Sequence, residues 1–147
     1  MQRRTTLKLG MGLIVAAIAP AWAAEGPTQV TLYKDPQCRY SGAYADYLRS
    51  NGFAVIVVET PHLPLINARY GVPHAFQSCH VAMVDRYFVE GHIPVVVIKR
   101  LLAELPAIKG ITLPGMPDGS PGVGGTKSAP FKIYAIGDGP PRPYAIE

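Results

Sequence analysis

The sequence predicts an α/β fold, a mixed sheet with flanking helices and one long loop rich in glycine and proline. Residues 29–34 and 53–58 have the β-branched and aromatic composition of strands, and a segment of helical periodicity separates them. Residues 80–84 and 87–89 are predicted to form two more strands joined by a tight turn. Most residues from 110 to 125 are glycine or proline, which predicts a loop that is either functional or mobile.

The first half of the chain has the pattern of a βαβ unit. The first strand ends in a break that places Cys38 directly after it. Residues 41–50 are predicted to form a helix, because apolar side chains recur at helical spacing before the stop signal Asn51-Gly52. The apolar run 53–58 is typical of a strand covered on both faces. Strand, helix and strand at this spacing indicate parallel strands with a right-handed crossover.

Two further helices are predicted in the middle of the chain. A short one covers residues 65–70 and ends at Gly71. Pro94 suits the first position of a longer one, which Pro106 ends. The apolar face of that longer helix is predicted to contain Ile98, Leu101, Leu102 and Leu105.

The chain ends in a predicted hairpin. Residues 131–136 and 144–146 have strand composition, and the segment 137–143 between them contains glycine and proline. A parallel βαβ half followed by an antiparallel pair and a helix is the layout of a thioredoxin-like domain. The sequence therefore predicts that fold.

The first 23 residues have the three parts of a secretory signal. A positive start containing Arg3-Arg4 precedes a short apolar run and the small-x-small cleavage site Ala21-Trp22-Ala23. A helix that spans a membrane needs about 20 apolar residues, and this apolar run is shorter. The alternative interpretation is an uncleaved membrane anchor. The paired arginines also resemble a twin-arginine signal. We expect residues 1–23 to be a signal peptide and residues 24–147 to be one exported domain.

The net charge of the predicted mature domain argues against nucleic acid as a partner. Loss of residues 1–23 removes three basic and no acidic residues, which changes the formal net charge from +4 to +1. The remaining residues contain no basic block and no stripe of alternating basic and aromatic side chains. Nucleic acid is therefore not an expected partner.

Two cysteines are the strongest candidates for chemistry. Cys38 precedes a helix, where free backbone N–H groups and the helix dipole stabilise a thiolate. Cys79 stands at the entry to the third strand, which in a thioredoxin-like layout faces the cysteine before the helix. Their Cα atoms are therefore expected within about 4.4–6.8 Å, or slightly farther apart around one shared metal. A disulfide, a metal site and a redox pair all remain open.

Three neighbours could add ligands. His80 follows Cys79 directly and offers an imidazole, although an ordinary strand residue is as plausible. His92 lies in a loop before Pro94, where a histidine is more often solvated than functional. Met116 is flanked by proline and glycine, so its thioether could reach a soft metal or could fasten the loop to the core.

Four blocks of sequence resemble the CopG-like family of copper-resistance proteins. They are YKDPQC…GAYADYLRSNGF, GVP…SCHVAMVD, VEGHIP…IKRLLAELP and LPGMPDGSPG, and together they extend from about residue 30 to residue 122. The resemblance implies a thioredoxin-like fold, a periplasmic location and copper bound by cysteine. In this resemblance Cys38 matches the first family cysteine, Cys79 the later one and His80 its neighbour. His92 and Met116 fall in the matching loop motifs.

The chain differs from the family pattern after the first strand. The family has C-x-C-C there, whereas this chain has Cys38 followed by Arg39, Tyr40 and Ser41. Two thiolates cannot bridge as many copper ions as four. A single bound Cu(I) is therefore expected instead of a cluster.

Three functions follow as hypotheses. The first is a periplasmic protein that binds a soft metal, Cu(I) before zinc, and works with other copper-handling proteins. The second is a thiol–disulfide oxidoreductase of the monothiol C-x-x-S type, with Cys38 as nucleophile and Cys79 as resolving thiol. The third is a domain in which Cys38 and Cys79 form only a structural disulfide.

The signal peptide gives the first testable prediction. Protein recovered from an exporting host should have lost residues 1–23, because the small-x-small site ends at Ala23. Intact-mass measurement checks this. A mature form that still begins at Met1 would contradict both cleavage and the periplasmic location.

Overall fold

The computed structural model describes residues 26–147, and the predicted signal peptide lies outside these residues. Seven strands form one mixed sheet in the order β2-β1-β3-β4-β5-β6-β7. The strands are β1 (Thr28–Lys34), β2 (Phe53–Glu59), β3 (His80–Val84), β4 (Tyr87–Glu90), β5 (Gly110–Thr112), β6 (Lys132–Ile136) and β7 (Arg142–Ile146).

Three α-helices lie between these strands. They are α1 (Ser41–Ser50), α2 (Leu63–Tyr70) and α3 (Val95–Glu104), and a 3-10 turn at His74–Phe76 precedes β3. The predicted α/β fold with a mixed sheet and helices is confirmed. Within the part of the chain that the structure describes, no helix combines the length and the hydropathy of a membrane span.

The pairing of the strands brings several chain ends to one edge of the sheet. β1 lies between β2, which is parallel to it, and β3, which is antiparallel. Lys34 at the end of β1 is paired with His80 at the start of β3. Glu90 at the end of β4 is paired with Val81 and, on its other side, with Thr112 at the end of β5. The loops that leave this edge are therefore neighbours.

The core has one large and one small part, on opposite faces of the sheet. In the large part, Tyr44 and Leu48 of α1 and Ile98 and Leu101 of α3 pack against inward-facing strand residues. The small part lies under α2 and contains Leu63, Val72, Val81, Phe88 and Ile136. Side chains of a strand alternate between the two faces, which is why β3 contributes to both parts.

Residues 110–112, predicted as the start of the long loop, form strand β5 instead. Three residues with a leading glycine give no recognisable strand pattern in the sequence. The strand exists because it pairs with β4 on one side and β6 on the other, and all three of its residues are buried. The predicted hairpin is present, but its second strand begins at Arg142 and not at residue 144.

The longer helix also differs from its prediction at both ends. Pro94 is the residue before the helix, which begins at Val95. Leu105, predicted on the buried face, is 50% exposed. Its backbone φ of 46° is left-handed and ends the helix, so the side chain turns away from the face that contains Leu101.

This difference gives a prediction about stability. Leu101→Ala should lower the free energy of unfolding by about 2–5 kcal/mol, because Leu101 is fully buried and its loss leaves a cavity. Leu105→Ala, the matched control at the C-cap of the same helix, should change it by less than about 0.5 kcal/mol. Urea unfolding of both variants measures the difference. Equal losses would contradict the assignment of the buried face.

Candidate metal centre

Cys38 and Cys79 meet where β1 ends and β3 begins. The backbone N–H of Asp35 donates to the carbonyl of Cys79 at 2.9 Å, and the N–H of Cys38 donates to the carbonyl of Asp35 at 3.0 Å. These bonds hold the two cysteines with their Cα atoms 5.4 Å apart, and the sulfurs form a disulfide. Cys38 is buried, whereas Cys79 is exposed to solvent.

His80 completes a group of three potential metal ligands. Its ring is buried, and its Nδ1 lies 3.9 Å from the sulfur of Cys38. One ligand atom from each of Cys38, Cys79 and His80 lies within 4.8 Å of the other two. In the disulfide neither sulfur is a thiolate, so the two sulfurs become strong ligands only after reduction.

His92 lies beside His80 and is equally buried. Their ring centroids are 4.9 Å apart with the ring planes nearly perpendicular. The Nδ1 of His92 lies 2.7 Å from the carbonyl oxygen of Pro121. The Nε2 atoms of both histidines are buried and have no hydrogen-bond partner among residues 26–147. Each ring thus has a nitrogen that a cation could use.

Tyr44 of α1 packs against both imidazoles. Its ring centroid lies 4.9 Å from that of His92 and 5.6 Å from that of His80. Its hydroxyl donates to the carbonyl of Ile93 at 2.9 Å, and burial raises its pKa, so it keeps this proton. The helix that follows Cys38 is therefore tied to the residue that follows His92.

Burial keeps the two histidines neutral. It lowers the pKa of His80 to about 4, and repulsion from His92 adds to this effect. Burial also lowers the pKa of His92, against the opposing influence of the Pro121 carbonyl. Neutral imidazole is the form that binds metal ions. Both rings are therefore in their ligand form at neutral pH.

Glu90 is a site residue that the sequence reasoning missed. Its side chain is 1% exposed, and its Oε1 accepts a hydrogen bond of 2.6 Å from the N–H of Ser78, next to Cys79. Burial raises its pKa to about 7, partly offset by the hydrogen bond from Ser78. The sequence feature that could have indicated a buried polar role is its place at the end of β4, whose other residues are apolar or aromatic.

Met116 lies at the rim of the site. Together with Cys79, His80, Glu90 and His92 it lines a cavity of about 90 Å³. Its side chain is 41% exposed and its backbone φ is 46°, so it is held outside regular structure, as predicted from the flanking proline and glycine. The other two histidines, His62 and His74, are exposed and lie outside this cavity.

Tyr40 and Ser41, which stand where the resembled family pattern has cysteines, differ in their exposure to solvent. Tyr40 is exposed, and Ser41 is buried at the start of α1. The hydroxyl of Ser41 donates to the carbonyl of Cys38 at 3.3 Å. Neither can supply a thiolate. Cys38 and Cys79 are therefore the only residues among 26–147 that could supply a thiolate, and the structure joins them in a disulfide.

Glu90 gives a prediction about pH. The folded protein keeps a proton on Glu90 up to about pH 7, whereas the unfolded chain releases it near the ordinary value of 4.5. The folded state therefore loses stability as pH rises through this range, by about 3 kcal/mol. Glu90→Gln keeps an acceptor for the N–H of Ser78 but does not titrate, so it should become more stable than wild type over the same range.

Urea unfolding of wild type and Glu90→Gln between pH 4.5 and pH 7.5 measures this difference. His80 titrates in both proteins, so its effect is common to the two curves. Parallel curves for the two proteins would contradict the raised pKa of Glu90.

Comparison with known proteins adds two findings. Residues 76–123, which include Cys79, His80, His92 and Met116, match the family described as a protein of unknown function, DUF411. Two solved structures, titled copper resistance protein copG in Form 1 and Form 2, each superpose with a TM-score of 0.75. No curated protein matches the chain.

In both structural matches the sequences are 30% identical, and the match covers 82% of this chain and 98% of the other. The chain therefore belongs to the DUF411 family and is similar to copper resistance protein copG.

Proposed function

We propose that this protein binds one soft metal ion, Cu(I), in the periplasm and contributes to copper handling with other exported copper proteins. The observation that carries the proposal is the convergence of Cys38, Cys79 and His80, whose ligand atoms lie within 4.8 Å of one another. Thiolate, imidazole and thioether are the ligands that favour Cu(I) over hard cations.

Reduction of the disulfide would make the site ready for a cation. Cys38 and Cys79 would then supply two negative charges, and the buried nitrogens of His80 and His92 could add neutral contacts. Met116, at the rim of the same cavity, offers a thioether. Zinc would need four ligands, Cys38 and Cys79 with both histidines, and is the less favoured ion.

We also infer that the domain is thioredoxin-like. The order β2-β1-β3-β4, with β1 and β2 parallel and β3 and β4 antiparallel, supports this inference. In such a layout the cysteine before α1 stands opposite the entry to β3, which is where Cys79 lies. The site would then use the position at which this fold commonly performs thiol chemistry.

That chemistry supports a second candidate function, thiol–disulfide exchange. The disulfide between Cys38 and Cys79 is the specific observation in its favour. Cys38 precedes a helix N-terminus in a C-x-x-S sequence, and Cys79 is exposed to an attacking thiol. Turnover of a disulfide substrate that Cys38→Ser removes, in protein that binds no copper, would favour this function over the first.

The proposal predicts the stoichiometry and the ligands of copper binding. The reduced protein should bind one Cu(I), measured by native mass spectrometry and by titration against a competing Cu(I) chelator. Cys38→Ser and Cys79→Ser should each weaken Cu(I) binding strongly, because each removes a charged ligand. The loss should exceed the factor of about 10–100 that is typical when a residue hydrogen-bonded to a metal ligand is removed. His92→Ala and Met116→Ala should weaken it less, since imidazole and thioether are neutral.

Two controls accompany this titration. His74→Ala changes an exposed histidine outside the cavity and should leave the affinity unchanged. The oxidised protein should lose binding, because the disulfide occupies both sulfurs. Binding that survives loss of both cysteines, or a stoichiometry near four, would contradict the proposal.

A further inference from the structure

Residues 117–124 form a compact turn, called here the 117–124 turn, within the long loop. The N–H of Ser120 donates to the carbonyl of Pro117 at 3.1 Å, and the hydroxyl of Ser120 donates to the same oxygen at 2.6 Å. The N–H of Gly119 donates to the carbonyl of Gly124 at 2.6 Å, which closes the turn. Ser120 is buried, so this segment is packed against the domain.

The contact of the turn with α1 requires a glycine at position 122. A Cβ atom there would lie 2.8 Å from the backbone nitrogen of Tyr44 and 3.0 Å from the carbonyl carbon of Ala43. The first distance is shorter than real Cβ contacts essentially ever are, and the second is tighter than nine in ten of them. The φ of Gly122 is +78°, which also favours glycine. The turn therefore lies directly on the helix turn that carries Tyr44.

The neighbouring carbonyl determines the proton position on His92. Pro121 presents its carbonyl oxygen to Nδ1 of His92 at 2.7 Å. A carbonyl oxygen can only accept, so Nδ1 must carry the hydrogen. In the neutral ring Nε2 then has a free lone pair, and Nε2 is the buried nitrogen without a partner among the described residues.

We propose that the 117–124 turn is a positioning element that fixes His92 in the Nδ1–H tautomer and so leaves Nε2 as its metal-binding atom. A histidine that binds a metal commonly donates its other ring N–H to a carbonyl or carboxylate, which sets the tautomer and the ring orientation. The part of this proposal that concerns metal binding rests on the proposed function. The assignment of the His92 tautomer is independent of the proposed function.

The position of Tyr44 supports this assignment. Tyr44 packs against the ring of His92, and its backbone nitrogen lies so near Gly122 of the turn that a Cβ there would clash with it. His92 is thus held by one aromatic neighbour and by one carbonyl, and both belong to segments that pack on each other. A shift of the turn would move the carbonyl of Pro121 away from Nδ1.

Two alanine substitutions separate this role from general stability. Gly122→Ala should displace the turn, because its Cβ meets the backbone of α1. Gly124→Ala is the matched control: its φ is +83°, so its backbone cost is similar, but a Cβ there meets nothing within 4 Å. Ser120→Ala gives a milder disturbance, since it removes only the hydroxyl bond to Pro117 inside the turn.

The first measurement is the tautomer of His92 in the metal-free protein, read from the ¹⁵N chemical shifts of its ring. Wild type and Gly124→Ala should show a protonated Nδ1 and an unprotonated Nε2. Gly122→Ala, and to a smaller extent Ser120→Ala, should shift the population toward the other tautomer. A protonated Nε2 in neutral wild-type His92, or equal spectra for Gly122→Ala and Gly124→Ala, would overturn the proposal.

The second measurement is Cu(I) affinity against a competing chelator. Gly122→Ala should weaken binding by about 10- to 100-fold, as loss of an outer partner of a ligand does, and adding His92→Ala should cause no further loss. In the Gly124→Ala background His92→Ala should keep its full effect. Additive effects of Gly122→Ala and His92→Ala would overturn the metal role of the turn.

The two measurements distinguish failure of this inference from failure of the proposed function. If wild type binds no Cu(I), the proposed function fails, and the ring spectra alone decide the tautomer. If Gly122→Ala does not fold, the wild-type spectrum and the Ser120→Ala variant still decide it, because each has an outcome that contradicts a fixed Nδ1–H.

Discussion

The hydrogen bond from the buried hydroxyl of Tyr44 to the carbonyl of Ile93 ties together the two halves of the site. It joins α1, which begins just after Cys38, to the segment that carries His92. The same tyrosine ring contacts both imidazoles, and its backbone receives the 117–124 turn. A buried hydroxyl must find a partner, so this bond restricts how α1 can approach the sheet. The placement of the sulfurs relative to the rings follows from that restriction.

Periodicity and composition were sufficient for most of the fold. The bounds of α1 and β3 match their predictions, because each has a clear pattern and clear end signals. Strand β5 was missed, since three residues carry too little pattern and its existence depends on two neighbouring strands. Leu105 was misplaced because a left-handed backbone at the end of a helix changes the direction of the side chain without changing the sequence periodicity.

The sequence predicted those site residues whose type alone indicates chemistry, and it missed those whose role depends on partners far away along the chain. The cysteines and histidines were found because their residue types carry chemistry and lie in recognisable blocks. Glu90, Tyr44 and Pro121 act through hydrogen bonds to residues 12, 49 and 29 positions away. Such partners have no local signature, because the chain brings them together only by folding. A glutamate at the end of an apolar strand is the one feature that could have suggested a buried polar role.

The edge of the sheet where β1 and β4 end and β3 begins has a thermodynamic consequence. The side chains around it come from segments that only the folded chain brings together, so an unfolded chain offers no comparable site. A cation bound there binds the native state more tightly than the unfolded chain, and this difference in binding free energy is added to the free energy of unfolding. At a free concentration of about 100 times the dissociation constant, this amounts to about 2.7 kcal/mol. The supply of the ion would then set how much of the protein survives proteolysis, as well as how much of it is loaded.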